Sequence, residues 1–345
     1  MPKGVASFVR TDDLPPQLVS SMRREGFTGN MSAAADFMGP GALEINRYQT
    51  EIRDMVRRRF PFGQRLNSTL ATGQPSRYFE QVAIPTASFA DPRVLSATAT
   101  QPQRQERVVM LKAITAQINY GLFDVEVNQQ QGQFAYLEAK DLTDTVDGTL
   151  KLHDQKLWTG ADTDPLIATS TEYYGVSGQV FAGNALTGGN TTLDVPASGS
   201  LVDAVKLQVA TMANRTDYEV RPSAFYGSPL LLNLFDVECK TLQLHFNTVE
   251  ILPGVIVQGI PTQMGILPLI GDPAITVWPY SSLKIYTGFI LTEDMVEYHY
   301  LTDPLPRVFQ LGLLGNLAAQ YVVVKFGAPI VVGSNYAHTA ITSTR

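Results

Sequence analysis

The sequence predicts an α+β protein with more than one domain. Three observations predict it. Several segments carry apolar residues at helical spacing, others alternate as strands do, and 345 residues suffice for two or three cores.

Composition narrows the function. Hydrophobic residues make up 44% and charged residues only 17%, below the usual quarter. A surface so poor in charge points to cover by partner subunits. The net charge of −6 argues against a dedicated DNA-gripping protein. The charge is uneven, however: residues 1–107 hold 13 of the 17 arginines and carry +4, leaving −10 for the rest. A basic arm on an acidic body can touch nucleic acid weakly or dock on acidic neighbours. Cys239 stands alone, so no disulfide framework exists, and it reads as a small buried hydrophobe. The start Met1-Pro2-Lys3-Gly4 precedes no apolar run, and no stretch approaches the roughly 20 apolar residues of a membrane helix. A soluble, cytoplasmic chain is expected.

Residues 1–42 are polar and aperiodic, hence an arm. Leu43–Phe60 suits a helix: Ile45, Ile52, Met55 and Val56 make a broken stripe, Arg57-Arg58-Arg59 matches the dipole at its end, and Pro61 stops it. The arginine run reads as a solvated helix end or as a contact with a neighbour or nucleic acid. Phe79–Ile84 and Val108–Val127 alternate as strands around Ala87–Glu106, which is too poor in large apolar residues to pack a core. A long hairpin with a flexible tip follows, one that needs support from elsewhere.

Phe134–Trp158 is the clearest helix, with Leu142, Val146, Leu150 and Leu157 on one stripe and Gly160 as a stop. At 1.5 Å per residue it makes a rod of roughly 36 Å. Ala161–Gly199 reads as loop and short strand, its turns marked by Gly175, Gly178, Gly183, Gly188 and Gly189. Ser200 then opens a helix carrying Leu201, Val205, Val209 and Met212 and ending near Asn214. Tyr218–Tyr226 is a strand that Pro222 interrupts and so puts at an edge or makes irregular, and Ser228-Pro229 starts a helix to about Lys240. Residues 246–310 are short apolar strands punctuated by Pro and Gly. Gln320–Val332 is β-rich, and the last dozen residues read as a polar tail. No internal repeat is visible.

The search for chemistry returns no catalytic, cofactor-binding or metal site. No phosphate loop or dinucleotide fingerprint is present. Gly175-Val176-Ser177-Gly178 falls one residue short of a nucleophile elbow, without a partnering acid and base. His153, His245, His299 and His338 lie far apart, and Asp141, Asp144 and Asp147 are spaced as one polar helix face and not as a calcium loop. Glu293-Asp294 could do acid–base work but no cleft signature accompanies it.

The order of elements carries a resemblance. Helix Phe134–Leu157 ends in Leu157-Trp158-Thr159-Gly160-Ala161 and leads to Tyr173-Tyr174-Gly175-Val176. Leu201–Ala213, Ser223–Tyr226 and Ser228–Phe235 follow as helix, strand and helix, and then come the β segment Val249–Arg307 and the strand Gln320–Val332. This succession resembles the Hong Kong 97 type capsid fold of tailed-bacteriophage major capsid proteins, over roughly 270 residues, as pattern and order. The resemblance implies an N-terminal arm with a short helix (1–75), an E-loop hairpin (76–130), a spine helix with a peripheral domain (131–245), an axial domain (246–315), and a return strand with a tail (316–345). The loop Ile260–Pro273 would crowd a capsomer axis. It further implies a structural protein, not an enzyme, that self-assembles into hexamers and pentamers of an icosahedral shell around double-stranded DNA. Scaffold, portal or decoration proteins would be separate partners and the virion its location. Arg53, Arg57, Arg58 and Arg59 are the candidate contacts to a neighbour or to DNA. Ala87–Glu106 contains no lysine, with Lys112 lying beyond it, so a covalent weld is not expected. An encapsulin-like compartment, a tail or baseplate protein, and a hydrolase or transferase with a scattered site are the competing readings.

Overall fold

Two large sheets and a separate two-stranded hairpin make up the described β structure, and the strands of the large sheets interleave along the chain. The structure, a computed structural model, describes residues 61–345 except 94–99, 122, 124–133, 166, 168, 187–188, 216–218, 243–246, 253–254, 276–277, 281–282, 315–317 and 345. The arm 1–42 and the helix expected over Leu43–Phe60 lie outside these residues. Pro61, read above as a stop, opens the short helix α1 (Pro61–Arg65). Proline lacks only an N–H that a first turn leaves unbonded anyway.

The first sheet has five strands. Its path runs β1 (Asn67–Leu70), β12 (Val296–Tyr300), β14 (Ala318–Val331), β13 (Arg307–Leu314), and β4 (Lys112–Gly121) lies along the other side of β14. All ten residues of β4 pair in register with Gly327–Ala318. The helix α2 (Phe134–Thr159) packs on β4 and β14. Its length matches expectation, but its buried face does not. Thr149, His153 and Leu157 form that face, whereas Leu142, Val146 and Leu150 are only half-buried. Polar residues can lead here because each finds a partner: Thr149 donates to the Thr145 carbonyl at 2.9 Å, and the His153 ring meets the Tyr173 hydroxyl at 3.2 Å.

The second sheet has eight strands. It runs β5 (Leu193–Val195), β15 (Thr339–Thr344), β11 (Leu283–Leu291), β6 (Ala224–Gly227), β9 (Gly265–Gly271), β8 (Val255–Thr262), β7 (Asn247–Leu252), with β10 (Trp278–Tyr280) added on β11. Two helices, α4 (Leu201–Ala213) and α5 (Pro229–Thr241), cover it through Leu201, Val205, Val209, Met212, Leu231 and Phe235, all fully buried. Ser200 and Ser228 cap them, accepting from Asp203 N at 3.1 Å and Leu231 N at 3.2 Å. The acidic half of the α4 cap comes from α5: Glu238 accepts from Ser200 Oγ at 2.5 Å and Leu201 N at 2.9 Å.

Several expectations are corrected. The helix–strand–helix unit belongs with the eight-stranded sheet and not with α2, because β6 pairs β11 and β9. The blocks 131–245, 246–315 and 316–345 therefore do not follow the sheets: β12, β13 and β14 join the first, β15 the second. Pro222 precedes β6, so β6 is interior and wholly buried, not an edge. Ala161–Gly199 contains a helix, α3 (Val176–Asn184), hidden by its glycines. Gly183 is required there, since a Cβ would fall 2.4 Å from the Ser334 carbonyl carbon. The stretch Ile260–Pro273 is mostly the β8–β9 hairpin, with Ile260, Leu267 and Ile270 buried, instead of a loop. The polar tail is β15, whose Thr339 hydroxyl accepts from Gln208 at 3.0 Å while Ala340 and Ile341 enter the core. Finally, Val108–Val127 is divided. The hairpin closes at β3 (Gln103–Val109), paired only with β2 (Ser76–Ala83), and β4 leaves for the large sheet.

Lys112, at the start of β4, is held by a buried ion pair to Asp162 at 2.5 Å, the two side chains 9% and 1% exposed. Burial pushes the Asp162 carboxyl upward, but hydrogen bonds from Lys112 and Thr169 outweigh it and hold it at about 2. The pair's contribution is complete above about pH 4 and is lost as pH falls through about 2. Lys112→Met leaves the carboxylate buried without its cation and should cost about 3 kcal/mol. Urea unfolding at pH 7 measures that loss, and the acid-unfolding limb between about pH 4 and 2 should flatten in the variant.

Candidate assembly surfaces

The polar constellations inside the fold are structural. Arg65 of α1 grips Glu293 in a two-pronged pair, Nε to Oε1 at 2.6 Å and Nη2 to Oε2 at 2.5 Å, and donates to the Ile251 carbonyl at 2.7 Å. Tyr226 and Ser223 hydroxyls donate to the same carboxylate. Burial raises the Glu293 carboxyl, but these donors, Arg65 first, bring it below its ordinary range. A carboxylate so fully engaged is no general base. His299 bridges Ser76 at 2.8 Å and Glu297 at 3.2 Å, and His338 bridges the Val332 carbonyl and Thr292 N. His245 lies outside the described residues. Cys239 is 3% exposed in the core. Among the described residues no cluster of histidine, cysteine and carboxylates could hold a metal, and no helix is long and apolar enough to cross a membrane.

A cleft of about 660 Å³ opens between the end of α2 and α3, lined by Trp158, Tyr174, Phe181, Ile275 and Phe289 among others. Ser177 lies in it, but its hydroxyl donates to the Trp158 carbonyl at 2.5 Å, closing the α2–α3 corner. The carboxylate at the rim, Asp162, is spent on Lys112. No nucleophile–base pair lines the cleft.

What the molecule presents outward is apolar side chains on projecting elements. The β2–β3 hairpin exposes Phe79 (74%), Ile84 (62%) and Phe89, the last fully open. Among the described residues its two strands pair as a sheet only with each other. The β8–β9 hairpin exposes Val255, Ile256 and Ile266, the edge strand β13 exposes Val308, Phe309 and Leu311, and α5 exposes Leu230 and Val237. Contiguous apolar groups on strand edges and hairpins mark association surfaces. The sequence reading pointed to Ile260–Pro273 in the β8–β9 hairpin but missed β13, since apolar residues in strands read as core, and α5. A signal existed for α5: its run Leu230–Leu232, Leu234, Phe235 and Val237 is apolar on more than one face, as in a helix covered from two sides. Arg53, Arg57, Arg58 and Arg59 lie outside the described residues.

No protein-family model matches the chain. No curated protein matches it either. Solved structures do. A cyanophage A-1(L) capsid subunit superposes with a TM-score of 0.58 at 11% identity, covering 87% of this chain and 96% of that one. The capsid of a native GTA particle gives 0.57 at 13% identity over 90% and 98%. The holo-SrpI encapsulin complex from Synechococcus elongatus PCC 7942 gives 0.55 at 14% over 90% and 94%. The fold is the Hong Kong 97 type capsid fold.

In this Hong Kong 97 type fold the hairpin root is fixed by one buried carboxylate. Glu80, 6% exposed, accepts from Gly333 N at 2.6 Å and from Arg107 Nε at 2.8 Å. Gly333 has φ +65°, and a Cβ there would meet the Tyr336 ring at 2.7 Å, so the turn that presents this N–H requires glycine. Glu80→Ala should free the root while leaving the sheets intact. Limited proteolysis within residues 84–103 should accelerate by about tenfold, equal to about 1.4 kcal/mol of lost protection, with little change in circular dichroism.

Proposed function

We propose that this chain is a structural major capsid subunit that assembles into hexamers and pentamers of an icosahedral shell enclosing double-stranded DNA. One observation carries it: beyond its anchored root, a hairpin with exposed Phe79, Ile84 and Phe89 projects as a two-stranded ribbon from a fold it shares with solved capsids. Burying these three rings and chains on a neighbour is worth on the order of 5–9 kcal/mol before the cost of ordering. The protein acts by packing and not by catalysis.

In this reading the hairpin is the E-loop, α2 the spine, and the five-stranded sheet the peripheral domain. The eight-stranded sheet with α4 and α5 is the axial domain, which places the β8–β9 turn near a capsomer axis. This assignment replaces the contiguous blocks expected from sequence. The shell coheres without a covalent weld, since Lys112 is committed to Asp162. The protein resides in the virion after assembly in the host cytoplasm, with scaffold, portal and decoration proteins as separate chains. Arg53, Arg57, Arg58 and Arg59 contact packaged DNA or a neighbouring subunit.

One likeness favours a second reading, a protein-filled compartment: the encapsulin complex has the same fold. Electron microscopy of the expressed protein decides between these. Closed icosahedral particles are expected, and particles recovered from their native source should contain DNA. Protein cargo in their place would favour the compartment, tubes or rings a tail protein, and a persistent monomer at high concentration would overturn the shell. Replacing Arg57, Arg58 and Arg59 together by Gln should lower DNA retention with particles intact. Loss of assembly without DNA present would assign them to a subunit contact.

A further inference from the structure

The cleft of about 660 Å³ between the end of α2 and α3 has no part in the proposed assembly. Its size falls within the range of small-molecule sites, about 300–1,000 Å³. Two of its most buried lining residues, Thr287 and Phe289, come from one face of β11 and are 5% and 1% exposed. On α3, Ser177 and Phe181 lie four positions apart, as do Gly178 and Ala182, so all four line one wall. Gly178 and Ala182 add almost no bulk to that wall, which is otherwise made largely of rings.

The polar groups of the cleft are committed with one exception. Thr159 donates to the Gln155 carbonyl at 3.0 Å, and Thr163 pairs with the Thr169 hydroxyl at 3.3 Å. Tyr174 donates to the Gly178 carbonyl at 3.4 Å, and Ser177 to the Trp158 carbonyl at 2.5 Å. The Thr287 hydroxyl has no hydrogen-bond partner among the described residues, although its residue is more than nine-tenths buried. It reaches the cleft, unlike the Ser343 hydroxyl, which is sealed in the core. Thr342, opposite it in the ladder, gives its own hydroxyl to Asp194. An unmatched hydroxyl at that depth costs free energy until something bonds it. Asp162 brings a charge to the rim, but Lys112 neutralises it at 2.5 Å. A charged ligand would therefore lose water without gaining a counter-ion.

We propose that this cleft binds a neutral, flat aromatic molecule whose one hydroxyl or carbonyl group bonds the Thr287 hydroxyl. A hydroxyl both donates and accepts, so either group serves. The ring system follows from the lining: Trp158, Tyr174, Phe181 and Phe289 offer ring faces and edges, which favour another ring beyond its apolar area alone. An alkyl chain with its polar head outside would leave Thr287 unmet. The bound molecule touches α2, α3 and β11 at once, where Trp158 stacks on Phe289 at 5.2 Å. This site is independent of how subunits assemble.

Ligand-observed NMR titration of the full-length protein tests this with two probes of one shape, naphthol and methylnaphthalene substituted at the same carbon. One site per chain is expected, with naphthol bound about tenfold tighter, the worth of one hydrogen bond. Thr287→Val keeps the shape and removes the hydroxyl. It should equalise the probes by weakening naphthol alone, and leave the melting temperature of the free protein unchanged or raised. Ala182→Phe, at an exposed position of α3, should fill the cleft and abolish binding of both. Absence of saturable binding, equal affinities in the parent protein, binding that survives Ala182→Phe, or a naphthol preference that survives Thr287→Val overturns the proposal. So does a lower melting temperature in Thr287→Val, which would mean that the hydroxyl is bonded within the fold. If Ala182→Phe fails to fold, the two probes on the parent protein and Thr287→Val decide.

Discussion

The architecture turns on Trp158. It is fully buried at the end of α2, and its ring lies 4.3 Å from that of Phe62 in α1, 5.5 Å from Tyr226 in β6, and 5.2 Å in a stacked arrangement from Phe289 in β11. Its indole N–H donates to Asp272 at 2.9 Å. Each aromatic contact adds about 0.5–1.5 kcal/mol beyond area burial, but position matters more than the sum. The helix that lies on the five-stranded sheet thereby inserts its last turn into the core of the eight-stranded one. Gly160 and Gly175 make this possible: a Cβ on either would strike backbone, at 2.1 Å from Tyr173 O and 2.4 Å from Trp158 O. One tryptophan and two glycines convert two sheets into one body.

That coupling explains which parts of the fold were legible in the sequence. Local features were: the caps Ser200 and Ser228, the stripe of α4, the extent of α2, and the beginning of the hairpin all rest on residues a few positions apart. Pairings across the chain were not. β1 aligns with β12 some 230 residues later, and β15 inserts between β5 and β11, on contacts no local pattern encodes. β15 looked like a tail because its threonines are polar, yet the Thr339 hydroxyl is satisfied inside by Gln208, while Thr342 bonds Asp194 at the surface. α3 looked like turns because glycine usually marks them, whereas here it allows a helix to touch backbone. For the assembly surfaces, the hairpin betrayed itself by its poverty of core residues. The exposed groups of β13 and β8–β9 could not, because exposure depends on which sheet edge a strand occupies.

Buried charge and exposed apolar surface divide the work in this molecule. Arg65–Glu293 and Lys112–Asp162 tie elements that are distant in sequence, Glu80–Arg107 ties the two hairpin strands, and each pair makes a further hydrogen bond to backbone. Such pairs contribute geometry more than net stability, since desolvation offsets much of their attraction. The apolar groups left outside supply association energy without direction. In the proposed shell, specificity then comes from where the ion pairs aim the apolar elements.

The hairpin shows why aim is the demanding part. Phe89 lies nine residues beyond Glu80, a lever of up to about 30 Å at full extension. A tilt of about 10° at the root would move its tip by about 5 Å, which exceeds the 4.0–4.5 Å over which apolar side chains touch. A two-stranded ribbon cannot resist such a tilt by itself, because ribbons twist readily and this one has no third strand among the described residues. Resistance must come from the root, where Glu80 binds the Gly333 N–H of the turn after β14 and the Arg107 guanidinium of the returning strand. One carboxylate thus references both hairpin strands to the same sheet that carries α2. In the proposed shell, the exposed aromatic residues of the hairpin find a fixed target on a neighbour only because that buried contact holds the direction in which they point.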